Sequence, residues 1–165
     1  MLDQEVIMKI ADAAAEFLHQ QRIAVTGVSR KPEGHGSNAV YTRLRERGYS
    51  VFAVNPNADQ VEGDPAHPNL AAIPGGVDAV VIATSAEHAP RTMQEAVDLG
   101  IKYVWMHRSF GAGSVSAEAT RIGRQAGIMV IDGGCPLMFG QASDGGHRMM
   151  RRMMKVTGRV PREVA

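Results

Sequence analysis

The residues best suited to chemistry lie in a glycine-rich stretch that follows an apolar, β-branched run. Residues 22–38 contain Gly27-Val28-Ser29-Arg30-Lys31-Pro32 and Gly36-Ser37-Asn38, and they lead into an amphipathic helix. A turn of this kind directs backbone N–H groups and a helix N-terminus outward, where they bind phosphate. Arg30 and Lys31 either add positive charge for a ligand with several phosphates or are solvated surface cations. The stretch therefore predicts a phosphate-binding turn.

This turn departs from the fingerprint of nicotinamide-dependent dehydrogenases. That fingerprint is Gly-x-Gly-x-x-Gly, followed by an acidic residue at the end of the second strand that binds ribose hydroxyls. Here Ser29 replaces the second glycine, the turn is longer, and Asn55-Pro56 ends the second strand. These differences disfavour NAD, whereas Arg30 and Lys31 suit the 2′-phosphate of NADP(H). An NADP(H)-dependent oxidoreductase or redox sensor is therefore the alternative function.

The other reactive residue types give weaker indications of function. Cys135 is either a reactive thiol, able to form a disulfide with a thiol ligand, or an inert buried residue. The six histidines are scattered without a His-x-x-x-His pair. For His88 and His107 a structural or solvent-facing role is favoured, and no pair of carboxylates suits acid–base catalysis. We therefore predict no metal site and no catalytic residue.

The apolar pattern predicts the elements that position these residues. Five strands cover residues 23–28, 50–54, 77–84, 101–106 and 128–131. Helices cover residues 3–18, 87–99, 116–126 and 143–155, and a further helix is capped by Ser37 or Asn38 and ended by Gly48. Residues 58–76 form an irregular crossover with a short helical turn near residues 70–73. The fold class is therefore α/β, a Rossmann-like doubly wound parallel sheet in the order 3-2-1-4-5.

Polar or glycine-containing turns follow all five predicted strands. They cover residues 27–37, 55–57, 84–88, 107–113 and 133–140. Parallel strands end at one edge of a sheet, so these turns converge on a common rim, with a crevice at the ends of strands 1 and 4. Thr84 joins Ser37 and Asn38 among the predicted ligand contacts there.

Length and charge limit the classes of function. The chain has 165 residues, a formal charge of +1 and a single cysteine. We expect one domain over residues 1–155 with a loose tail over residues 156–165. Balanced charge gives no reason to expect nucleic-acid binding, and no apolar run is long enough to cross a membrane. One cysteine and the lack of a signal segment predict a cytoplasmic protein.

Methionines and arginines alternate near the C-terminus. Met149, Met150, Met153 and Met154 are interleaved with Arg148, Arg151, Arg152 and Lys155. A helix of this composition packs on the sheet, forms a homodimer contact, or presents a basic surface to an acidic partner. A partner-binding subunit is therefore a third functional hypothesis.

The order of the motifs resembles a known family. Gly27 to Pro32, Gly36-Ser37-Asn38, Asn55-Pro56, Val104-Trp105-Met106 and Cys135-Pro136 resemble the stand-alone CoA-binding proteins related to the CoA-binding domain of the succinyl-CoA synthetase α subunit. The resemblance covers residues 7–138 and implies a Rossmann-like domain that binds coenzyme A. By this resemblance Gly27, Ser29, Arg30, Lys31 and Ser37 hold phosphate, Asn55 and Pro56 border the adenosine, and Cys135 and Pro136 line the far rim.

Two departures from the family refine the expected function. His107-Arg108-Ser109-Phe110 stands where the family has a short Gln-x-Gly turn. Nothing in the chain resembles the phosphohistidine loop of the synthetase, so ligation by this chain alone is not expected. The sequence therefore predicts a small non-catalytic protein that binds CoA or an acyl-CoA.

Overall fold

The computed structural model describes residues 7–33, 35–109 and 111–165, the last range without the side chain of Gln141. In chain order the elements are β1 Met8–Lys9, α1 Ile10–His19, β2 Arg22–Thr26, α2 Gly36–Glu46, β3 Ser50–Val54, β4 Gln60–Val61, β5 Asp64–His67, β6 Ala79–Ile82, α3 Ala89–Asp98, β7 Tyr103–Met106, α4 Ala117–Gln125, β8 Met129–Asp132, α5 Gly145–Val156 and β9 Glu163–Val164. Two short 3-10 helices, Pro136–Met138 and Gly140–Ala142, lie between β8 and α5.

The central sheet separates two apolar cores. Its strand order is β4-β5-β3-β2-β6-β7-β8, and all neighbours are parallel except β4 and β5. Ile23 and Val25 of β2 pack with α1, α2 and α5 on one face, whereas Ala24 belongs to the core with α3 and α4 on the other. Strands this apolar require cover on both faces. The predicted Rossmann-like α/β class is confirmed.

The predicted strand order is wrong at one position. The third predicted strand, residues 77–84, corresponds to β6. It was expected at the edge of the sheet, next to β3, but it pairs directly with β2, with Val25 opposite Val81. The outer place is taken by β5, which has the sequence Asp-Pro-Ala-His and pairs with β3 through Ala66 and His67 only. So short and polar a strand has no apolar run to reveal it, and the sequence suggested an irregular crossover instead.

The two ends of the chain also differ from expectation. The N-terminal helix begins at Ile10, after β1, while Asp3, its expected cap, lies outside the described residues. The expected loose tail packs on the domain: β9 pairs antiparallel with β1, and Val160 and Val164 are buried. Pairing between opposite ends of a chain leaves no local sequence pattern, which explains why it was missed.

Candidate functional site

After β2 the chain adds β3 on one side of the sheet and later adds β6 on the other side, so the topological switch point lies between β2 and β6. The prediction had placed this crevice at strands 1 and 4. Gly27 lies at the switch point with a φ of +76°. A Cβ atom on Gly27 would lie 2.7 Å from the carbonyl oxygen of Ala83, so a side chain is excluded. The Gly27 N–H also donates to Val54 at the end of β3, at 3.1 Å. The ends of β2, β3 and β6 are thus held together at the position where open α/β sheets bind ligands.

Buried polar side chains hold the turn that follows Gly27. The Asn38 Oδ1 accepts from the Ser29 N–H at 2.8 Å, and its Nδ2 donates to the Ser29 carbonyl at 2.8 Å and to Glu62 Oε1 at 2.7 Å. The Ser37 hydroxyl donates to the Gly27 carbonyl at 2.8 Å. Ser37 and Asn38 are 5% and 3% exposed. Both side chains therefore position the turn, while the phosphate contact of Ser37 and the ligand contact of Asn38 stay predictions.

Helix α2 starts at this turn without a side-chain cap. It begins at Gly36, one residue before the predicted caps, and the N-cap residue His35 makes no side-chain hydrogen bond to it. Among the described residues, the Gly36 and Ser37 N–H groups meet no acceptor. Arg30 and Lys31 are exposed on the preceding turn, where the Lys31 N–H donates to Ser29 Oγ at 3.0 Å. Free N–H groups, the positive end of the helix dipole and two cations suit an anion.

The turn after β3 is stabilised by its own asparagine. The Asn55 Nδ2 donates to the Val28 carbonyl at 2.9 Å, and its Oδ1 accepts from the Asn57 N–H at 2.8 Å. Its backbone N–H donates to His67 of β5 at 2.9 Å. Pro56 is exposed beside it. Asn55 thus fixes the turns after β2, β3 and β5 to one another, while the adenosine contacts of Asn55 and Pro56 stay predictions.

Two polar groups near the ends of β6 and β7 are buried without a partner in the part of the chain that the structure describes. Thr84 Oγ1 and Arg108 Nε are fully shielded from solvent and form no hydrogen bond among the described residues. The Arg108 N–H donates to the Gly134 carbonyl at 2.9 Å, and the Thr84 carbonyl accepts from the Ser114 hydroxyl. Buried polar groups without partners are uncommon, and the described residues supply no partner for either atom. Thr84 was predicted as a ligand contact and that contact stays a prediction, whereas Arg108, a basic residue in a predicted rim turn, was not among the predicted contacts.

His107 lies against the start of α2. Its Cε1 would be 3.3 Å from a Cβ atom on Gly36. Burial, with a smaller effect of the neighbouring His147 charge, lowers the pKa of His107 to about 4. The imidazole is therefore neutral near pH 7. His88, the other histidine expected near the rim, has a side chain that is 66% exposed.

Cys135 and Pro136 lie in the core rather than exposed on the rim. Cys135 is 2% exposed, and burial raises the pKa of its thiol to about 12. Gly133 and Gly134 have φ values of 144° and 71° and redirect the chain at the end of β8. Trp105 Nε1 fixes this turn by donating to the Gly133 carbonyl at 2.9 Å. The expectation that both residues face the rim is corrected, and their contact with a ligand stays a prediction.

The described residues provide neither a metal site nor a membrane span. They contain no group of three or more His, Cys, Asp or Glu side chains arranged to hold a metal ion. No helix within them is long and apolar enough to cross a membrane.

Comparisons with known proteins identify relatives that share part or most of this chain. The acetate–CoA ligase [ADP-forming] II of Archaeoglobus fulgidus is 34% identical over 89 residues, which cover 53% of this chain but 13% of the ligase. The uncharacterized protein YneT of Bacillus subtilis is 30% identical over 111 residues, which cover 67% of this chain and 78% of YneT. The chain thus spans a small part of the ligase and most of YneT.

Solved structures and a family model extend these matches. A hypothetical protein from Pyrococcus horikoshii OT3 is 26% identical with a TM-score of 0.70, and the match covers 90% of this chain and 92% of that one. The model described as the CoA binding domain matches residues 21–141, from the strand before the glycine-rich turn to the segment after Cys135. This match covers most of the sequence, and the chain therefore belongs to the CoA binding domain family.

Proposed function

We propose that this protein binds CoA or an acyl-CoA at the switch point and acts as a non-catalytic binding module. The observation that carries the proposal is the uncapped start of α2 beside the tightly held Gly27 turn. Family membership supports CoA as the ligand, because the matched region contains both features.

The parts of CoA suit different parts of the rim. The pyrophosphate fits the free N–H groups at Gly36 and Ser37, where the helix dipole favours negative charge. The 3′-phosphate adds charge that the exposed Arg30 and Lys31 side chains can neutralise. The adenosine would lie along Asn55 and Pro56. The pantetheine arm would extend toward β7, where Thr84 Oγ1 and Arg108 Nε lack partners among the described residues.

The chemistry of the described side chains supports binding rather than turnover. The Cys135 thiol is buried, and its raised pKa leaves almost no thiolate near pH 7. We propose that any acyl transfer is carried out by another protein or domain. The ADP-forming ligase is a protein several times the length of the region it shares with this chain, so its activity is not transferred here.

Compartment and assembly belong to the same proposal. A protein whose one cysteine is unpaired and buried is suited to the reducing cytoplasm. A homodimer or a partner subunit is proposed on the alternation of methionines and arginines in α5. Sedimentation of the purified protein, alone and with CoA, tests the homodimer directly.

Titration calorimetry tests the ligand. We expect CoA to bind more tightly than 3′-dephospho-CoA by roughly tenfold, since each factor of ten corresponds to about 1.4 kcal/mol. NADP⁺ and NAD⁺ should bind more weakly than either. Equal affinity for CoA and dephospho-CoA would remove the role of Arg30 and Lys31. Binding of neither compound rejects the proposed function, and preferential binding of NADP⁺ supports the redox alternative.

Charge-removing variants sharpen the result. Arg30→Gln and Lys31→Gln should lose the preference for CoA over 3′-dephospho-CoA without losing stability, because both side chains are exposed. Arg47→Gln and Lys102→Gln are matched controls, since these exposed cations follow α2 and precede β7, at the opposite edge of the sheet. A loss of preference in all four variants would indicate general electrostatic attraction instead.

A further inference from the structure

The ring of His107 is fixed against the first turn of α2. Its backbone N–H donates to the Ile82 carbonyl at 2.9 Å, and its carbonyl accepts from the Ser114 N–H at 2.8 Å. Cε1 and Nε2 would lie 3.3 and 3.9 Å from a Cβ atom on Gly36. The backbone of His107 is thus held on both sides, with the ring beside the helix start.

The imidazole makes no side-chain hydrogen bond within the described ranges. Among the described residues, neither ring nitrogen of His107 forms a hydrogen bond. A neutral imidazole carries one N–H donor and one acceptor nitrogen, and His107 is partly exposed. A group that enters from solvent at the start of α2 can therefore form a hydrogen bond with the ring.

Burial, more than nearby charge, keeps the ring neutral in the free protein. Removal from water and the charge of His147 on α5 both disfavour the imidazolium, and they lower the pKa of His107 to about 4. Asp144 does not offset this, because it is paired with His147 Nδ1 at 2.8 Å and lies 3.9 Å from Arg43 of α2. The positive end of the α2 dipole also disfavours the imidazolium, and the other charged side chains nearest in the chain are Arg108 on the same loop and Lys31 and Glu33 on the turn before α2.

We propose that His107 is a further ligand-binding residue, which takes up one proton when a phosphate group of the ligand binds at the first turn of α2 and then donates a hydrogen bond to it. This inference rests on the proposed binding of CoA. The proton comes from solvent, the pyrophosphate stays fully ionised, and no covalent bond changes. A bound anion at the helix start stabilises the imidazolium, which is disfavoured in the free protein.

Affinity should therefore depend on pH. Ligand binding that raises the pKa of His107 is tightened as the pH falls, by up to about tenfold per pH unit between the pKa of the free protein and that of the complex. Above the pKa of the complex, the affinity no longer changes with pH through this residue.

Calorimetry in pairs of buffers with different ionisation enthalpies measures the proton uptake. The probe is 3′-dephospho-CoA, which lacks the titratable 3′-phosphate of CoA, so that any proton taken up belongs to the protein. At about pH 6 we expect wild type to take up more than roughly half a proton and His107→Gln to take up almost none. His88→Gln is the matched control, since this exposed histidine also follows a strand at the rim, and it should match wild type.

The outcomes separate the two proposals. Wild type that binds neither CoA nor 3′-dephospho-CoA rejects the proposed function. Binding of 3′-dephospho-CoA without proton uptake, or with equal uptake by His107→Gln, rejects the role of His107 alone. If protons are taken up with CoA but not with 3′-dephospho-CoA, the uptake belongs to the 3′-phosphate of the ligand, and the role of His107 is also rejected.

Histidine NMR provides a test in wild type that does not depend on a folded variant. With ¹³Cε1-labelled histidine, the His107 signal should stay neutral in the free protein from about pH 8 to pH 5, and saturating 3′-dephospho-CoA should raise its midpoint by at least about two pH units, to above about pH 6. An unchanged midpoint would overturn the inference.

Discussion

The turns after β2 and β8 resemble each other in sequence but differ in what covers them. Both contain glycines at positive φ: Gly27 at 76°, Gly133 at 144° and Gly134 at 71°. The first turn carries exposed cations and ends at a helix with free N–H groups. The second leads into the core, where the Gly134 N–H donates to the Arg159 carbonyl at 3.1 Å. A glycine-rich turn after a parallel strand is therefore open to ligands only where no later element covers it.

The largest expected effect comes from adding a side chain at Gly27 in the first turn. Gly27→Ala places a Cβ atom 2.7 Å from the Ala83 carbonyl oxygen at a φ of +76°, combining a steric clash with backbone strain. We expect it to lower the free energy of unfolding by about 2–5 kcal/mol and to abolish CoA binding. Urea denaturation and calorimetry measure the two effects.

Gly48→Ala separates strain from close contact. Gly48 has a φ of +90°, but no atom lies within 4 Å of its added Cβ. This control should cost about 1 kcal/mol and leave CoA affinity unchanged. Equal losses of stability in the two variants would show that the close approach at the switch point has no special importance.

The second prediction concerns the side chain that holds the open turn. Asn38→Ala removes hydrogen bonds at 2.8, 2.8 and 2.7 Å, to both backbone groups of Ser29 and to Glu62. We expect a loss of about 2–3 kcal/mol in unfolding free energy, together with weaker CoA binding, because the Ser29 groups lose their partners. Asn69→Ala, which removes one bond to the Ala72 N–H on an exposed turn, is the control and should cost less than about 1 kcal/mol. Unchanged affinity in Asn38→Ala would mean that the turn needs no such support.

The sequence contains enough information to predict the open turn and the sheet beneath it. Gly27, Arg30 and Lys31 are close together in the chain. An apolar strand followed by an amphipathic helix also has a strong local pattern. That is why β3 and the Rossmann-like class were predicted correctly.

The features that were missed depend on contacts between distant residues. β5 pairs with β3 through two residues, and β1 meets β9 from the other end of the chain. The positions of the His107 ring and of Arg108 Nε, which has no partner among the described residues, depend on the pairing of β7 with β6. The sequence favoured an inert, buried Cys135 over a reactive thiol, and the structure shows the burial, but the elements that cover Cys135 come later in the chain and were not predicted. Local patterns cannot report which later segment will cover a turn.

The third prediction tests the covered turn through its thiol. The folded pKa of Cys135 is raised by burial to about 12, above its value in the unfolded chain. The resulting stability is fully present below the unfolded pKa and is lost as the pH rises toward the folded pKa. Between about pH 8 and pH 10, the unfolding free energy of wild type should fall by roughly 2 kcal/mol more than that of Cys135→Ala.

Labelling of the same thiol gives a second measurement. Native Cys135 should react with a thiol reagent or with oxidised CoA only at the rate of unfolding, and intact-mass spectrometry should find no adduct under native conditions. Rapid labelling of the native protein, or parallel pH profiles for wild type and Cys135→Ala, would contradict the difference drawn between the two turns.

The smallest expected effect comes from loosening the cover of the second turn. Asp144 caps α5 by accepting from the His147 N–H at 2.8 Å, and α5 contributes the buried Met154 to the core that contains Cys135. We expect Asp144→Ala to lower the unfolding free energy by about 1 kcal/mol and to increase the labelling rate of Cys135 through local opening of α5. Ser116→Ala is the matched control, because Ser116 caps α4 on the other face by accepting from the Ala119 N–H at 3.2 Å. Ser116→Ala should lower the unfolding free energy by a similar amount. When the variants are compared at equal global stability, Ser116→Ala should not increase the labelling rate of Cys135. Equal labelling in the two variants would mean that α5 does not cover the turn, and the second turn would then be closed by the packing of Trp105 and the C-terminal segment alone.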